Sequence, residues 1–222
     1  MRRKVINHGI PAYVLGGENR PPLIWNLALD WAEKNMDQSE TSRLNSELDD
    51  WMKETELENA RKARLYSDTL NALFNLASRG IEMGLVTNAS GEAVNYILSS
   101  FDLKKFFRTI VTRNDSPRLK PNPAIIQVAI SRMETPVGWL VGDAEYDAGA
   151  AYEGGLKSII IRRDRERPSF RHDHFINSLN DVARIVLREP RVLYTPRFSR
   201  PQDQGPTWWE VNASPSLFFD PW

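Results

Sequence analysis

Apolar positions along the chain follow two rhythms. From Leu23 to about Arg64 they recur at helical spacing: Ile24, Leu27 and Trp31 share one face, Leu44, Leu48 and Trp51 another, with a polar Gln-Ser-Glu-Thr-Ser connection between. From Tyr66 onward short apolar runs alternate with helical stretches. A helix is predicted over Tyr66 to Arg79, with Leu70, Leu73, Phe74 and Ala77 inward and Gly80 as its stop. Strands follow at Ile81 to Val86, Thr109 to Thr112, Trp139 to Val141 and Ser158 to Ile161. Between them lie helices at Glu92 to Ser100, Ala124 to Arg132 and Ala148 to Glu153, and a closing helix spans Ile176 to Leu187. Strand and helix in alternation predict an α/β protein, a parallel sheet flanked by helices.

The two ends of the chain depart from this alternation. The stretch Lys4 to Leu15, with its apolar Ala12-Tyr13-Val14-Leu15, reads as a strand entering a tight Gly16-Gly17 loop that Pro21-Pro22 closes. Residues 188–222 combine six prolines with Tyr194, Phe198, Trp208, Trp209, Phe218, Phe219 and Trp222. Proline at that density opposes helix and central strand, while so many rings are wrong for a solvated tail. An extended strap is expected, docking through its aromatics on the protein's own surface or on a protein partner. The helical hairpin is too small to own a core and reads as an insert covering something else, with Trp25, Trp31 and Trp51 as packing residues. The expected division is a core of 1–22 and 65–187, a cap of 23–64 and a tail of 188–222.

Composition narrows the functional classes. The 222 residues carry 29 basic and 29 acidic side chains, so no global field recruits nucleic acid or a membrane surface. There is no cysteine, which excludes disulfides and thiolate metal sites. No apolar run reaches membrane-spanning length. A cytoplasmic protein is expected, with an organelle (mitochondrial) matrix as the alternative suggested by Arg2, Arg3 and Lys4.

Candidate chemistry gathers at the ends of the strands. Val141-Gly142-Asp143 closes an apolar run, and Asp147 follows four residues later where a helix begins. In an open α/β sheet ligands sit beyond the carboxyl ends of strands, and paired carboxylates there hold Mg²⁺ against a phosphate. Alternatively, Asp143 caps the helix and Asp147 is a first-turn acid. Thr87-Asn88-Ala89-Ser90-Gly91 offers a hydroxyl and an amide at a helix start, as a phosphate cradle or an ordinary cap. Lys120, mounted between Leu119 and Pro121, is presented ahead of a helix. His172 and His174 read as solvated loop residues rather than a metal pair.

Leu85-Val86-Thr87-Asn88, Arg118-Leu119-Lys120-Pro121-Asn122-Pro123 and Val141-Gly142-Asp143 through Asp147 resemble, in order and spacing, the second, third and fourth motifs of the haloacid dehalogenase-like hydrolases, most closely the phosphoglycolate-phosphatase-like branch. The resemblance implies a Rossmann-like core with a small helical cap. It also implies phosphate binding by Thr87, Asn88 and Lys120, Mg²⁺ binding by Asp143 and Asp147, and a small phosphorylated molecule as ligand. The family's first motif reads D-x-D after its first strand. At the matching place this chain has Tyr13-Val14-Leu15-Gly16-Gly17-Glu18-Asn19, so Gly16 takes the nucleophile position and Glu18 the acid/base position. No aspartate precedes Asp30. Two functions follow as expectations: a non-catalytic member serving as subunit or scaffold, or a Mg²⁺-dependent phosphatase with an altered first motif. A carboxylate standing behind phosphorus, from Glu18 or from elsewhere such as Asp220, would reverse the inert expectation.

Overall fold

The computed structural model describes residues 1–133, 137–188 and 216–219. Chain order begins with α1 (Arg2–Asn7), α2 (Pro21–Asn35) and α3 (Gln38–Lys62). Next come α4 (Thr69–Ser78), β1 (Glu82–Val86), α5 (Gly91–Ser100), β2 (Thr109–Val111) and α6 (Ala124–Arg132). The remainder is β3 (Val137–Gly142), α7 (Glu145–Glu153), β4 (Lys157–Ile161), β5 (His174–Ile176), α8 (Val182–Arg188) and β6 (Ser216–Phe219).

The sheet runs β2-β1-β6-β3-β4-β5, and every pairing is parallel. Side chains alternate across it as strand geometry requires. Met83, Leu85, Trp139, Val141 and Ile159 face α4, α5 and α8, while Val86, Val111 and Leu140 face α6 and α7. With both faces covered, all carboxyl ends open at one edge of the sheet, which is where the site lies.

A third cluster belongs to the cap. Ile24, Trp25, Ala28 and Leu29 of α2 pack on Leu44 and Leu48 of α3, and the cluster also takes in Leu119. Pro21 and Pro22 start α2 rather than ending a loop, since a proline's missing N–H is no loss in a first turn. Asp37 caps α3 by accepting from the Glu40 N–H at 2.8 Å, while Glu40 accepts from the Asp37 N–H at 3.2 Å. That reciprocal cap is worth about 1 kcal/mol.

The strand expected over Lys4 to Leu15 is not formed. Arg2–Asn7 is helical, Ala12–Leu15 is a 3-10 turn, and Val5, Ile10 and Leu15 pack into the cap cluster instead of the sheet. An apolar run of four residues has too few positions to separate the two periods. The other end corrects the opposite way. Ser216–Phe219, expected in an extended strap, forms β6 in the middle of the sheet: Leu217 pairs with Met83 and Trp139, Phe219 with Leu85 and Val141. The rest of the expected strap, 189–215 and 220–222, lies outside the described residues.

Smaller differences concern α4 and the start of the closing helix. Ala72, Leu73 and Leu76 point inward, whereas Leu70, Phe74 and Ala77 are outward, Phe74 resting edge-on against Phe106 at 4.8 Å. His174–Ile176 is a strand, and the helix starts only at Val182. Trp25 is buried but Trp51 is exposed, so the expected packing role does not extend to Trp51.

Candidate functional site

At the carboxyl end of β1, the Thr87 N–H donates to Val111 O at 3.0 Å, and the Thr87 hydroxyl accepts from the Ala89 N–H at 3.1 Å. Thr87 is buried and lines a cavity of about 450 Å³. A hydroxyl that accepts one bond still owns a proton to donate. Ser90 caps α5, accepting from Ala93 N at 3.4 Å.

Two side-chain amides fix the loop that carries the lysine. Asn26 of α2 accepts from Leu119 N at 2.9 Å and donates to Leu119 O at 2.8 Å. Asn88 does the same for the next residue, accepting from Lys120 N at 2.8 Å and donating to Lys120 O at 3.2 Å. The Asn88 amide thus serves chiefly to hold the lysine, which is a different task from the phosphate contact expected of it.

Lys120 itself is 1% exposed. Its ammonium donates to Asp147 Oδ1 at 2.8 Å and to Val86 O at 3.2 Å. The side chain points inward, to the lining of the cavity.

Asp147 is equally buried and its other oxygen, Oδ2, accepts from the N–H groups of Asp143 (3.1 Å) and Ala144 (3.0 Å). One carboxylate therefore anchors the lysine and closes the turn into α7. Neither the metal role nor the role of a solvated first-turn acid describes it. Gly142 makes this possible: a Cβ there would lie 2.2 Å from the Asp147 carboxyl carbon.

Asp143 stands at the strand end with access to solvent. Partial desolvation and the neighbouring Asp147 charge raise its pKa, with Lys120 and Arg162 pulling the other way. A divalent cation would relieve that repulsion. Mg²⁺ typically keeps several waters and takes one or two carboxylates plus phosphate oxygens, so Asp143 suits it. No group of three or more metal-ligating side chains occurs among the described residues.

The cavity's roof comes from α3, through Met52, Glu56, Asn59 and Ala60. Spacings of three and four residues on one helix face were legible in the sequence, yet polar Glu56 and Asn59 hid the stripe. Arg113, just past β2, was missed as well. It is 3% exposed, donates to Asp49 Oδ1 at 2.8 Å and Glu56 Oε2 at 3.0 Å, and lies over the Trp25 ring at 5.4 Å. A buried guanidinium beside a strand end, facing acids on α3, ties roof to floor. Tyr146, another lining residue, has its hydroxyl pKa raised by burial.

Glu18 is not brought to this cavity. Its oxygens accept from Asn19 N, Arg20 N and the Arg20 guanidinium at 2.7–2.9 Å, and those bonds hold its pKa down to about 2. A carboxylate so committed is a poor proton donor near neutrality. Gly16 and Gly17 have nothing within 4 Å of the place a Cβ would take. His172 bonds Phe170 O at 2.8 Å and the His174 ring lies 5.4 Å from Trp139.

The chain is similar to proteins of known family. A phosphoglycolate phosphatase from Cereibacter sphaeroides is 34% identical over 113 residues, covering 51% of this chain and 52% of its own. Pyrophosphatase PpaX from Bacillus velezensis is 26% identical over 127 residues, covering 54% and 59%. The chain thus spans little more than half the length of these relatives. A HAD phosphatase from Thermococcus onnurineus superposes with a TM-score of 0.55 at 21% identity, over 83% of this chain and 86% of that one, a likeness of fold. The sequence pattern of the haloacid dehalogenase-like hydrolases matches residues 26–161, which hold Thr87, Lys120, Asp143 and Asp147, and the chain belongs to that family.

Proposed function

We propose that the protein is a phosphoester hydrolase that releases phosphate from a small phosphorylated molecule. The observation that carries this reading is the buried ammonium of Lys120 beneath a 450 Å³ cavity that Thr87 also lines. Phosphoryl transfer asks a protein mainly for positioning and charge stabilisation. Here Asp147 and Asn88 position the lysine, Thr87 offers a hydroxyl, and the α5 amino terminus adds a partial positive charge. Asp143 would hold Mg²⁺, which when bound neutralises phosphate charge. The cavity suits a metabolite-sized ligand. The relatives named for phosphoglycolate and pyrophosphate support a phosphorylated substrate class.

The scaffold reading rests on the lack of an aspartate before Asp30 and makes a different forecast. Hydrolysis of 4-nitrophenyl phosphate, with and without Mg²⁺, separates the two. The hydrolase reading expects Mg²⁺-dependent turnover that falls at least about a hundredfold in Asp143→Asn. Equal background rates in wild type, variant and metal-free samples would overturn it.

A further inference from the structure

The cavity has two ends of different chemistry. At the strand ends it is lined by Thr87, Lys120 and Asp147. Away from them it runs between α3 and α5, and there the lining is largely apolar. Met52 and Ala60 on α3 share a face with Glu56, each four residues apart, and Ala93 and Ile97 on α5 repeat that spacing. Ala93 lies in the first turn of α5, beside the strand end, and Ile97 sits about 6 Å farther along the helix axis. Ala60, Ala93 and Ile97 are buried and pack in one cluster with Leu57 and Phe101. This wall leads away from the place a phosphoryl group would take, toward the rest of the molecule that carries it.

Charge along the same wall is already assigned. Glu56 lines the cavity, and its Oε2 accepts from the Ser90 N–H at 2.9 Å and from the Arg113 guanidinium at 3.0 Å. Arg113 also donates to Asp49 Oδ1 at 2.8 Å and to Asn88 O at 2.9 Å. The guanidinium is thus committed to protein acceptors, and its bonds hold the Glu56 carboxylate in place. A second anionic group on the ligand would face that fixed carboxylate across an apolar wall, and shedding its water there is costly. An apolar chain meets methyl and methylene groups at no such cost.

We propose that the alcohol released from the substrate is uncharged and apolar, and that Met52, Ala60, Ala93 and Ile97 select it. The inference rests on the hydrolase reading above and adds which phosphate esters the site favours.

The test measures kcat/KM of the full chain with Mg²⁺ for methyl, ethyl and n-butyl phosphate and for 2-phosphoglycolate, with 4-nitrophenyl phosphate as the control for hydrolysis itself. The first four are alkyl esters, so their leaving oxygens are alike and the wall makes the difference. From methyl to n-butyl phosphate, kcat/KM should rise at least about tenfold, and n-butyl phosphate should exceed 2-phosphoglycolate by about tenfold or more. Met52→Lys, which sets an ammonium on the wall, should shift the ratio toward 2-phosphoglycolate by at least about tenfold. Hydrolysis of 4-nitrophenyl phosphate without a rise along the alkyl series overturns the inference and leaves the hydrolase reading standing. So does 2-phosphoglycolate equal to or better than n-butyl phosphate, or an unchanged ratio in a folded Met52→Lys. Hydrolysis of none of the esters brings down both. The wild-type series decides even if the variant folds poorly.

Discussion

On the floor of the cavity, Lys120 and Asp147 are each 1% exposed and bonded to each other, whereas on the roof Glu56 and Asn59 belong to a helix with one face in water. The floor is held by groups whose alternatives to bonding are costly. The roof, α3, is held by the buried Arg113 guanidinium on Asp49 and Glu56 and by Leu57 and Ala60 packed with Ala93 and Ile97 of α5, while α2 beside it carries the surface pairs of Arg118 with Asp30 and Glu33. A buried, paired floor fixes where charge can be stabilised, while a roof helix whose lining residues Glu56 and Asn59 lie outside the sheet can vary that lining without disturbing the strand ends. The division predicts that floor substitutions cost chemistry and stability together, and that roof substitutions act first on ligand affinity.

The largest effect is expected at Asp147→Asn. Removing one member of a buried pair leaves Lys120 uncompensated, at a cost of about 3–5 kcal/mol, with turnover lost in the same variant. Chemical denaturation and a phosphate-release assay read both. A variant that melts like wild type would place the pair outside the floor's framework.

Arg113→Gln should follow. It frees Asp49 and Glu56 to repel each other, for about 3 kcal/mol, and it should raise KM more than it lowers kcat because the lysine is untouched. A pure kcat loss would contradict the roof assignment.

A third effect serves as the reference away from both regions. Burial raises the pKa of Asp68, but bonds from Arg163 (2.7 and 2.8 Å), Ser178 and Leu179 outweigh it and hold the carboxyl at about 2. A depressed folded pKa contributes stability above the ordinary carboxylate value near 4, and that contribution disappears as pH falls to about 2. The loss should be about 2 kcal/mol, and Asp68→Asn should flatten the acid limb of the stability profile. The smallest effect is forecast for Arg118→Gln, below about 1 kcal/mol, because Asp30 and Glu33 are more than half exposed.

The strand-to-helix junctions were legible in the sequence because local signals agree there. An apolar run, a hydroxyl or acid, then helical spacing marked Thr87, Asp143 and Asp147, and proline marked Lys120. α6 matches its expected range, Ala124–Arg132. What those residues touch was less legible. Asp147 and Asn88 look like ligand groups in isolation, and only the fold sends their bonds to Lys120. The placement of β6 was hidden for a different reason. A four-residue strand that directly follows Pro215 gives no local sign of a central position, because its partners are more than seventy residues away in sequence. The amino-terminal run Ala12–Leu15 erred in the opposite sense, with strand-like composition but a 3-10 turn whose Leu15 is buried in the cap cluster.

The most direct test of the whole account is a crystal structure of the full chain with Mg²⁺ and vanadate, a mimic of the phosphoryl group in transfer. The account predicts the anion in the cavity with the Thr87 hydroxyl and the Lys120 ammonium as donors and the metal on Asp143. Vanadate seated elsewhere on the surface, with the cavity floor closed by Lys120 and Asp147 alone, would contradict it.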